Sequence, residues 1–352
     1  MKLVKRADGG RLSMLGLVKF LAILAIVYLH LQPTSSAKWT RLYLLVEFFF
    51  ILSGYFTFKH FQKYSISTTE DKSKRAIRYT VRRIKHFLPY LLVGTLIQIS
   101  VRLYVTRGET LTSKIGIFLT AIFDSCFLSS QNGIIISPLW FMSALIIVTP
   151  IFAIICQTKR KDMLYIITAL TTIVYYGEFF GDNIIGAKAL IRALVGLLTG
   201  ITVYGFSDYL SKCDYSKMRR LLLQFLEIAA IVVGVICLYP SVTSPYNVPY
   251  GKCFVLMTVI FLTIFLSRQT WTSRIRSQFF DLLESISLAI FMTHYELALY
   301  YRNANNFYLS LKQKFHYLII ATLLGAAVFF MIEYFKNHRH REKTNKGPES
   351  AS

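Results

Sequence analysis

Two ionisable residues, Lys19 and His30, lie eleven residues apart in the first long apolar stretch of the chain. At about 100° per residue in a helix, this spacing returns to within about 20° of the same direction. Both side chains therefore share one stripe, about 16 Å apart along the axis. A buried charge inside a bilayer indicates function, and an imidazole can act as a general base. The alternative is a lysine that reaches the inner interface and a histidine at the outer one.

A carboxylate follows in the second apolar stretch, at Glu47. The connection between the two stretches is short, so we expect antiparallel neighbours with Glu47 near the height of His30. A carboxylate that faces an imidazole fixes its tautomer and raises its basicity. Glu47 is therefore a predicted catalytic partner of His30, and the alternative is a carboxylate in a water-filled outer vestibule. Gly54, on the face of Glu47, allows another backbone or a ligand to approach closely.

The elements that must position these residues are membrane spans. Hydrophobic residues make up 54% of the 352 residues and charged residues only 16%, whereas soluble domains carry about 25% charged residues. The apolar residues cluster in long runs, which excludes a collagen, a disordered chain, a disulfide scaffold and an ordinary soluble enzyme. We predict an all-α integral membrane protein with ten spans, near residues 14–31, 42–58, 87–105, 138–156, 163–178, 184–206, 221–239, 252–267, 286–301 and 315–335.

Positive charge sets the predicted orientation, with both termini in the cytoplasm. The chain has 40 Lys and Arg residues, of which this topology puts 28 inside and 8 outside, as the positive-inside rule requires. Nine of them lie in 59–86. This distribution of charge requires that the apolar stretch 115–130 does not cross the membrane, because a further span would move the later inside charges outside. We therefore predict that this stretch, which contains Asp124, is a re-entrant or interfacial segment. The basic excess then needs no nucleic-acid partner.

The termini and the cysteines contribute little chemistry. A cleaved signal peptide is an alternative for the N-terminus, but the apolar run is long and contains Lys19. The polar tail 336–352 is predicted to be disordered, outside a membrane domain of residues 1–335. The five cysteines form no CxxC pair, so we predict no disulfide framework and no metal site.

The order of these motifs resembles the membrane-bound acyltransferase 3 family. That family has a basic residue, ten intervening residues and a histidine in its first span, then an acidic residue before an FFxxSG segment, then a basic cytoplasmic segment that leads to a proline. The matching stretches here are VKFLAILAIVYLH, VEFFFILSGYF and RRIKHFLPY. Later, PLWFMSALI resembles the family's LWF span and SISLAIFMTHYELALYY its late span with a histidine. The resemblance covers most of the chain, from residue 19 to about residue 300.

One motif departs from the family pattern. The family commonly has RxxR before the proline, whereas this chain reads RIKH from Arg83 to His86 ahead of Pro89. An RxxR occurs further upstream, at Arg75 and Arg78. Which pair contacts a phosphate is therefore open, and the positive-inside rule alone explains the charge of the segment but not the motif order.

The resemblance implies an O-acyltransferase of a bacterial plasma membrane. It would move an acyl group, usually acetyl, from cytoplasmic acyl-CoA to a hydroxyl of a cell-surface polysaccharide or related glycan at the outer face. Acyl-CoA would be a donor substrate, and no permanently bound cofactor is expected. His30 would serve as base or as transient acyl carrier, with Glu47 beside it. The residues expected at CoA are Lys19, Arg82, Arg83, Lys85 and His86, and those expected at the substrate are Ser53, Gly54, Trp140 and His294.

Some of these assignments have competing interpretations. Trp140 is also typical of an interfacial anchor, and His294 of a buried histidine in helix packing. A transporter or flippase of a lipid-linked glycan would use the same buried charges, and internal repeats, which the sequence lacks, would favour it. A polysaccharide polymerase would be favoured by a large charged outer loop, but the longest predicted outer segment, 106–137, is mostly apolar.

Overall fold

The computed structural model describes residues 12–32, 41–64, 71–123, 139–179, 188–239, 248–305 and 309–345. Every regular element in these ranges is helical. The α-helices are α1 (Ser13–His30), α2 (Leu45–Tyr64), α3 (Lys72–Val105), α4 (Leu111–Phe123), α5 (Leu139–Ile155), α6 (Lys161–Val174), α7 (Lys188–Lys212), α8 (Lys217–Leu238), α9 (Val248–Leu266), α10 (Gln278–Thr293), α11 (Tyr295–Ala304) and α12 (Leu311–Asn345). A π-helical turn, Tyr175–Phe179, extends α6.

Many of the described helices can cross a bilayer. Six of them, α1, α2, α3, α7, α8 and α12, are long and apolar enough, and α10 with α11 makes a seventh if the bent pair is one span. Helices α5 and α9 are apolar but shorter. The predicted all-helical membrane protein is therefore confirmed, whereas the number of ten spans stays a prediction.

The stretch predicted not to cross forms a short helix. Helix α4 has 13 residues, which at about 1.5 Å per residue is about 20 Å, less than the hydrocarbon core of about 30 Å. Most of its described apolar side chains are exposed, among them those of Leu111 and Leu119, whereas Ala121 is buried. This length suits a re-entrant or interfacial segment. Asp124 and the rest of the predicted stretch lie outside the described residues.

Two helices extend beyond their predicted spans. Helix α3 begins at Lys72 and continues through Pro89, so the end of the basic segment is part of the helix rather than a separate cytoplasmic loop. Helix α12 continues past residue 335 to Asn345. The first part of the predicted tail is therefore helical up to Asn345, while the division of the chain at residue 335 stays a prediction.

The predicted span 286–301 is broken. Helices α10 and α11 meet at His294 with a bend of 63°. Around this break, α10 packs against α1, α3 and α12, while α2 packs against α7, which also contacts α5, α6 and α9. The break therefore lies where three neighbouring helices can supply side chains to it.

Glycines set the closest helix contacts. Gly54 of α2 and Gly200 of α7 each lie so close to the other helix that a Cβ atom would collide with its backbone. Gly94 of α3 lies equally close to the backbone of Met292 in α10. Without a strong hydrophobic drive between helices in lipid, such close packing determines which helices pair.

Candidate functional site

The C-terminal end of α1 brings His30 against the break between α10 and α11. The ring centroid of His30 lies 5.3 Å from that of His294, with the planes tilted by 40°, and 4.9 Å from that of Tyr295 in an edge-on contact. His294 is fully buried and His30 is half-buried. The predicted catalytic histidine and the predicted substrate histidine thus form one cluster, which we call the histidine pair.

Side chains donate to the carbonyl oxygens around the break, and that of His294 also accepts from the backbone N–H of Ala298 at 2.8 Å. Gln98 of α3 donates to a carbonyl just before the break at 2.6 Å, and the Tyr317 hydroxyl of α12 donates to the carbonyl of His294 at 2.7 Å. His294 Nδ1 lies 3.2 Å and 2.9 Å from the carbonyl oxygens of Ile290 and Phe291. In lipid, freed backbone groups must find partners within the protein, so these three side chains stabilise the bend.

Nearer the N-terminus of α1, on the same stripe, Lys19 forms an ion pair. Its Nζ lies 2.5 Å from Oε1 of Glu284 in α10, with side chains 21% and 29% exposed. It also lies 5.4 Å from the ring centroid of Phe56 in α2. Lys19 and His30 therefore both face α10, through Glu284 and His294, which is the shared direction that their spacing predicts.

Glu47 is fully buried, but its partners differ from the predicted one. Its Oε1 accepts a hydrogen bond from Arg192 of α7, and its Oε2 accepts one from the Tyr176 hydroxyl at 2.7 Å. The predicted contact with His30 is wrong, because this carboxylate points toward α7. The Arg192 guanidinium in turn lies 5.5 Å from the Trp140 ring.

Aromatic rings separate the histidine pair from the Glu47–Arg192 pair. Consecutive ring centroids are 4.7 to 6.4 Å apart. The rings, in order from His294 to Trp140, are those of Phe291, Phe141 and Phe50. Trp140 thus contacts the ion pair between α2 and α7, and this aromatic layer connects it to the histidine pair.

Arg83, in the basic N-terminal part of α3, contacts the middle of α2. Arg83 donates to the hydroxyl of Ser53 at 3.1 Å and to that of Thr57 at 3.3 Å. Lys19 contacts Phe56, which lies between these two residues in the sequence. Two predicted CoA-binding cations therefore approach the same turn of α2 from different helices.

The upstream arginine pair lies elsewhere. Arg75 Nε donates to the side chain of Gln157, just after α5, at 2.9 Å. Arg78 is exposed. Of the two candidate segments, the one next to Pro89 sends Arg83 to Ser53 and Thr57 of α2. The remaining predicted members, Arg82, Lys85 and His86, are exposed on α3.

Two predicted substrate residues have internal partners. Ser53 accepts the hydrogen bond from Arg83. The space beside Gly54 is filled by the backbone of Leu197. The sequence allowed either another backbone or a ligand to lie beside Gly54. The structure shows a backbone there, so we assign Gly54 to helix packing.

Three partners in these clusters were not selected from the sequence. Arg192 carried a signal, because a charged residue within a predicted span indicates function. Glu284 lies just outside the predicted span 286–301, and Tyr176 is one of 22 tyrosines. Neither of the latter two has a pattern that would have distinguished it.

Comparison with protein families decides where the chain belongs. The family model described as an acyltransferase domain, that of acyltransferase 3, matches residues 14–337. The chain belongs to the acyltransferase 3 family. The matched range contains the stripe of α1, the basic end of α3, the Glu47–Arg192 pair and the histidine pair, so these are features of a membrane acyltransferase. No curated protein and no solved structure matches this acyltransferase.

Proposed function

We propose that this acyltransferase moves an acyl group, preferentially acetyl, from cytoplasmic acyl-CoA to a hydroxyl of a cell-surface polysaccharide or related glycan. The histidine pair is the observation that carries the proposal. It lies at the C-terminal end of α1, which the proposed topology puts outside, and the N-terminal half of α1 holds a cation. Acyl transfer from a cytoplasmic polyanion to an outer hydroxyl needs this combination of groups.

The topology that we propose has ten spans and both termini in the cytoplasm. Contacts between distant segments support it, because each joins groups that this topology puts on the same side. Lys19, in the inner half of its span, pairs with Glu284 of an inner segment. Arg302, which donates to the Gln32 carbonyl at 2.9 Å, falls outside with its partner. Further contacts of this kind are the inner pair Arg75–Gln157 and the outer pairs Glu47–Arg192 and Arg41–Tyr239.

The topology can be tested with single cysteines in a cysteine-free background. Ser310→Cys lies in a predicted outer loop and Ser211→Cys in an inner one, and both positions are exposed. We expect a membrane-impermeant maleimide to label Ser310→Cys in intact cells and Ser211→Cys only after permeabilisation. The reverse pattern would exclude the proposed orientation.

The basic end of α3 is the proposed entry for the donor. The phosphates of CoA would pair with Arg82, Arg83, Lys85 and His86, where an arginine can bind an anion through two parallel hydrogen bonds. Lys19 lies further along, beside the turn of α2 that Arg83 also contacts. The phosphates must displace Glu284 from Lys19 to use that cation, and the thioester then extends along the stripe toward His30.

The chemical step needs one base. His30 takes the proton of the acceptor hydroxyl while the hydroxyl oxygen forms a bond to the thioester carbonyl carbon. The carbon–sulfur bond breaks, and the proton passes to the departing CoA thiolate. A positioned base of this kind typically accelerates a reaction by about 10²–10⁴-fold.

A transfer assay tests the function. The purified protein in nanodiscs receives labelled acetyl-CoA and candidate glycans, and we expect labelled glycan that depends on His30. His30→Ala should lower the rate by about 10²–10⁴-fold, whereas His316→Ala should not. His316 is a suitable control because it is a histidine on the same predicted side that contacts Tyr301 rather than the histidine pair.

Two results would contradict the proposal. Transfer at the wild-type rate in His30→Ala would exclude the histidine pair as its site. Movement of a lipid-linked glycan across liposomes without any acyl-CoA would instead identify a transporter.

A further inference from the structure

The position of the hydrogen on His294 follows from its surroundings. Nδ1 lies within hydrogen-bond distance of the carbonyl oxygens of Phe291 and Ile290, at 2.9 Å and 3.2 Å. A carbonyl oxygen can only accept, so Nδ1 carries the hydrogen. His294 is fully buried among the helices, where an uncompensated charge is costly, so the ring is neutral. A neutral imidazole with a protonated Nδ1 has its lone pair on Nε2.

This lone pair has no hydrogen-bond partner within the described ranges. A buried acceptor left without a donor is unfavourable, and in a native structure it calls for an explanation. The bend does not need it, because Gln98, Tyr317 and Nδ1 of the same ring already occupy the carbonyl oxygens around the break. The Nδ1 atom of His294 therefore stabilises the end of α10, whereas its Nε2 atom makes no hydrogen bond within the described residues.

The nearest imidazole is that of His30, and it can supply the missing donor. The ring centroids are 5.3 Å apart, and the terminal torsion of a histidine side chain is soft. A rotation of the His30 ring would bring one of its nitrogens toward His294 Nε2. Hydrogen bonds between catalytic groups are often long without substrate and shorten when it binds.

We infer that His294 is the positioning residue for His30. On the basis of the proposed function, His30 donates a hydrogen bond to His294 Nε2, which fixes the His30 tautomer and leaves its other nitrogen free to take the hydroxyl proton. No bond to His294 forms or breaks in this step. The orienting role that the sequence suggested for Glu47 belongs, in this arrangement, to His294, whose own orientation is set by the backbone of α10.

The substitution His294→Asn tests the role of Nε2 separately from that of Nδ1. The asparagine amide reaches the position of Nδ1 and keeps a donor for the carbonyl oxygens of α10, but it places nothing at the position of Nε2. We expect kcat to fall by about 10²-fold or more, with the KM for acyl-CoA unchanged. Tyr317→Phe is the matched control, because it removes a hydrogen bond from the same break and leaves both imidazoles; its kcat should stay close to that of the wild type.

A second measurement does not depend on activity. Nitrogen-15 NMR of histidine-labelled protein in nanodiscs should show a neutral histidine with hydrogen on Nδ1, and His294→Asn should remove that signal. The same substitution should convert His30 from one tautomer to a mixture. A His294 protonated on Nε2, or a His30 signal that does not change, would overturn the inference.

The outcomes for the two proposals are distinguishable. If His294→Asn keeps the wild-type kcat while His30→Ala is inactive, His294 does not position the base and the proposed function stands. If the wild-type protein transfers no acyl group to any hydroxyl acceptor, the proposed function fails, and the NMR experiment still decides whether His294 orients His30.

Discussion

Glu47 of α2 and Arg192 of α7 form an ion pair with side chains only 0% and 2% exposed. The second carboxylate oxygen accepts a hydrogen bond from Tyr176. The pair joins the two helices on the N-terminal side of their close contact at Gly54 and Gly200. A buried pair of this kind adds little net stability, but it makes each member strongly dependent on the other.

Removal of one member of this pair should destabilise the protein. Arg192→Met leaves the Glu47 carboxylate buried without its countercharge, which we expect to cost about 3–5 kcal/mol. The double variant Glu47→Leu/Arg192→Met should recover most of that loss. Thermal unfolding in detergent measures both, and Asp208→Ala, which breaks the exposed pair with Lys212, is the control with no expected change. A double variant as unstable as the single one would argue against the coupling.

The contact between α2 and α7 should not tolerate a larger residue. Gly54→Ala would place a Cβ against the Leu197 backbone, and such overpacking typically costs about 1–3 kcal/mol. Gly116→Ala is the control, because no atom lies within 4 Å of a Cβ at that position in α4. Thermal unfolding should show a lower midpoint for Gly54→Ala alone; equal midpoints would mean that the close approach is not required.

Release of Lys19 from Glu284 should improve donor binding. Glu284→Gln removes the carboxylate that competes with CoA phosphates for the Lys19 ammonium. Partly exposed ion pairs are worth up to about 1 kcal/mol, so we expect the KM for acyl-CoA to fall by about 2- to 5-fold. Glu333→Gln, which removes the partner of Lys336, should leave the KM unchanged. An increased KM in Glu284→Gln would show that the pair shapes the donor site instead of blocking it.

Loss of Arg83 should affect the donor more than the chemistry. A hydrogen bond to a charged group is worth about 1.5–3 kcal/mol, so Arg83→Ala should raise the KM for acyl-CoA by about 10- to 100-fold while kcat at saturation changes little. Arg75→Ala provides the comparison, since Arg75 binds Gln157 and should affect stability rather than KM. Kinetics with varied acyl-CoA and varied acceptor distinguish an effect on donor binding from an effect on the chemical step. If Arg83→Ala changed only the KM for the acceptor, the donor would bind elsewhere.

Local pattern was enough to determine several features of this protein. The apolar runs predicted helices at the observed places, because burial in lipid depends on length and composition alone. The spacing of Lys19 and His30 predicted that they share a face, because helical periodicity is a local property. The ordered motifs indicated the acyltransferase 3 family, to which the match over residues 14–337 assigns the chain.

Only the tertiary structure decided which groups meet. Lys19 pairs with Glu284, 265 positions away, and Glu47 pairs with Arg192, 145 positions away; neither partner follows from spacing along one helix. The break at His294 was equally hidden, because an apolar run reads the same whether the helix is straight or bent. Gln98 and Tyr317 of other helices donate to carbonyl oxygens at the break, and these donors are in place only once those helices pack together.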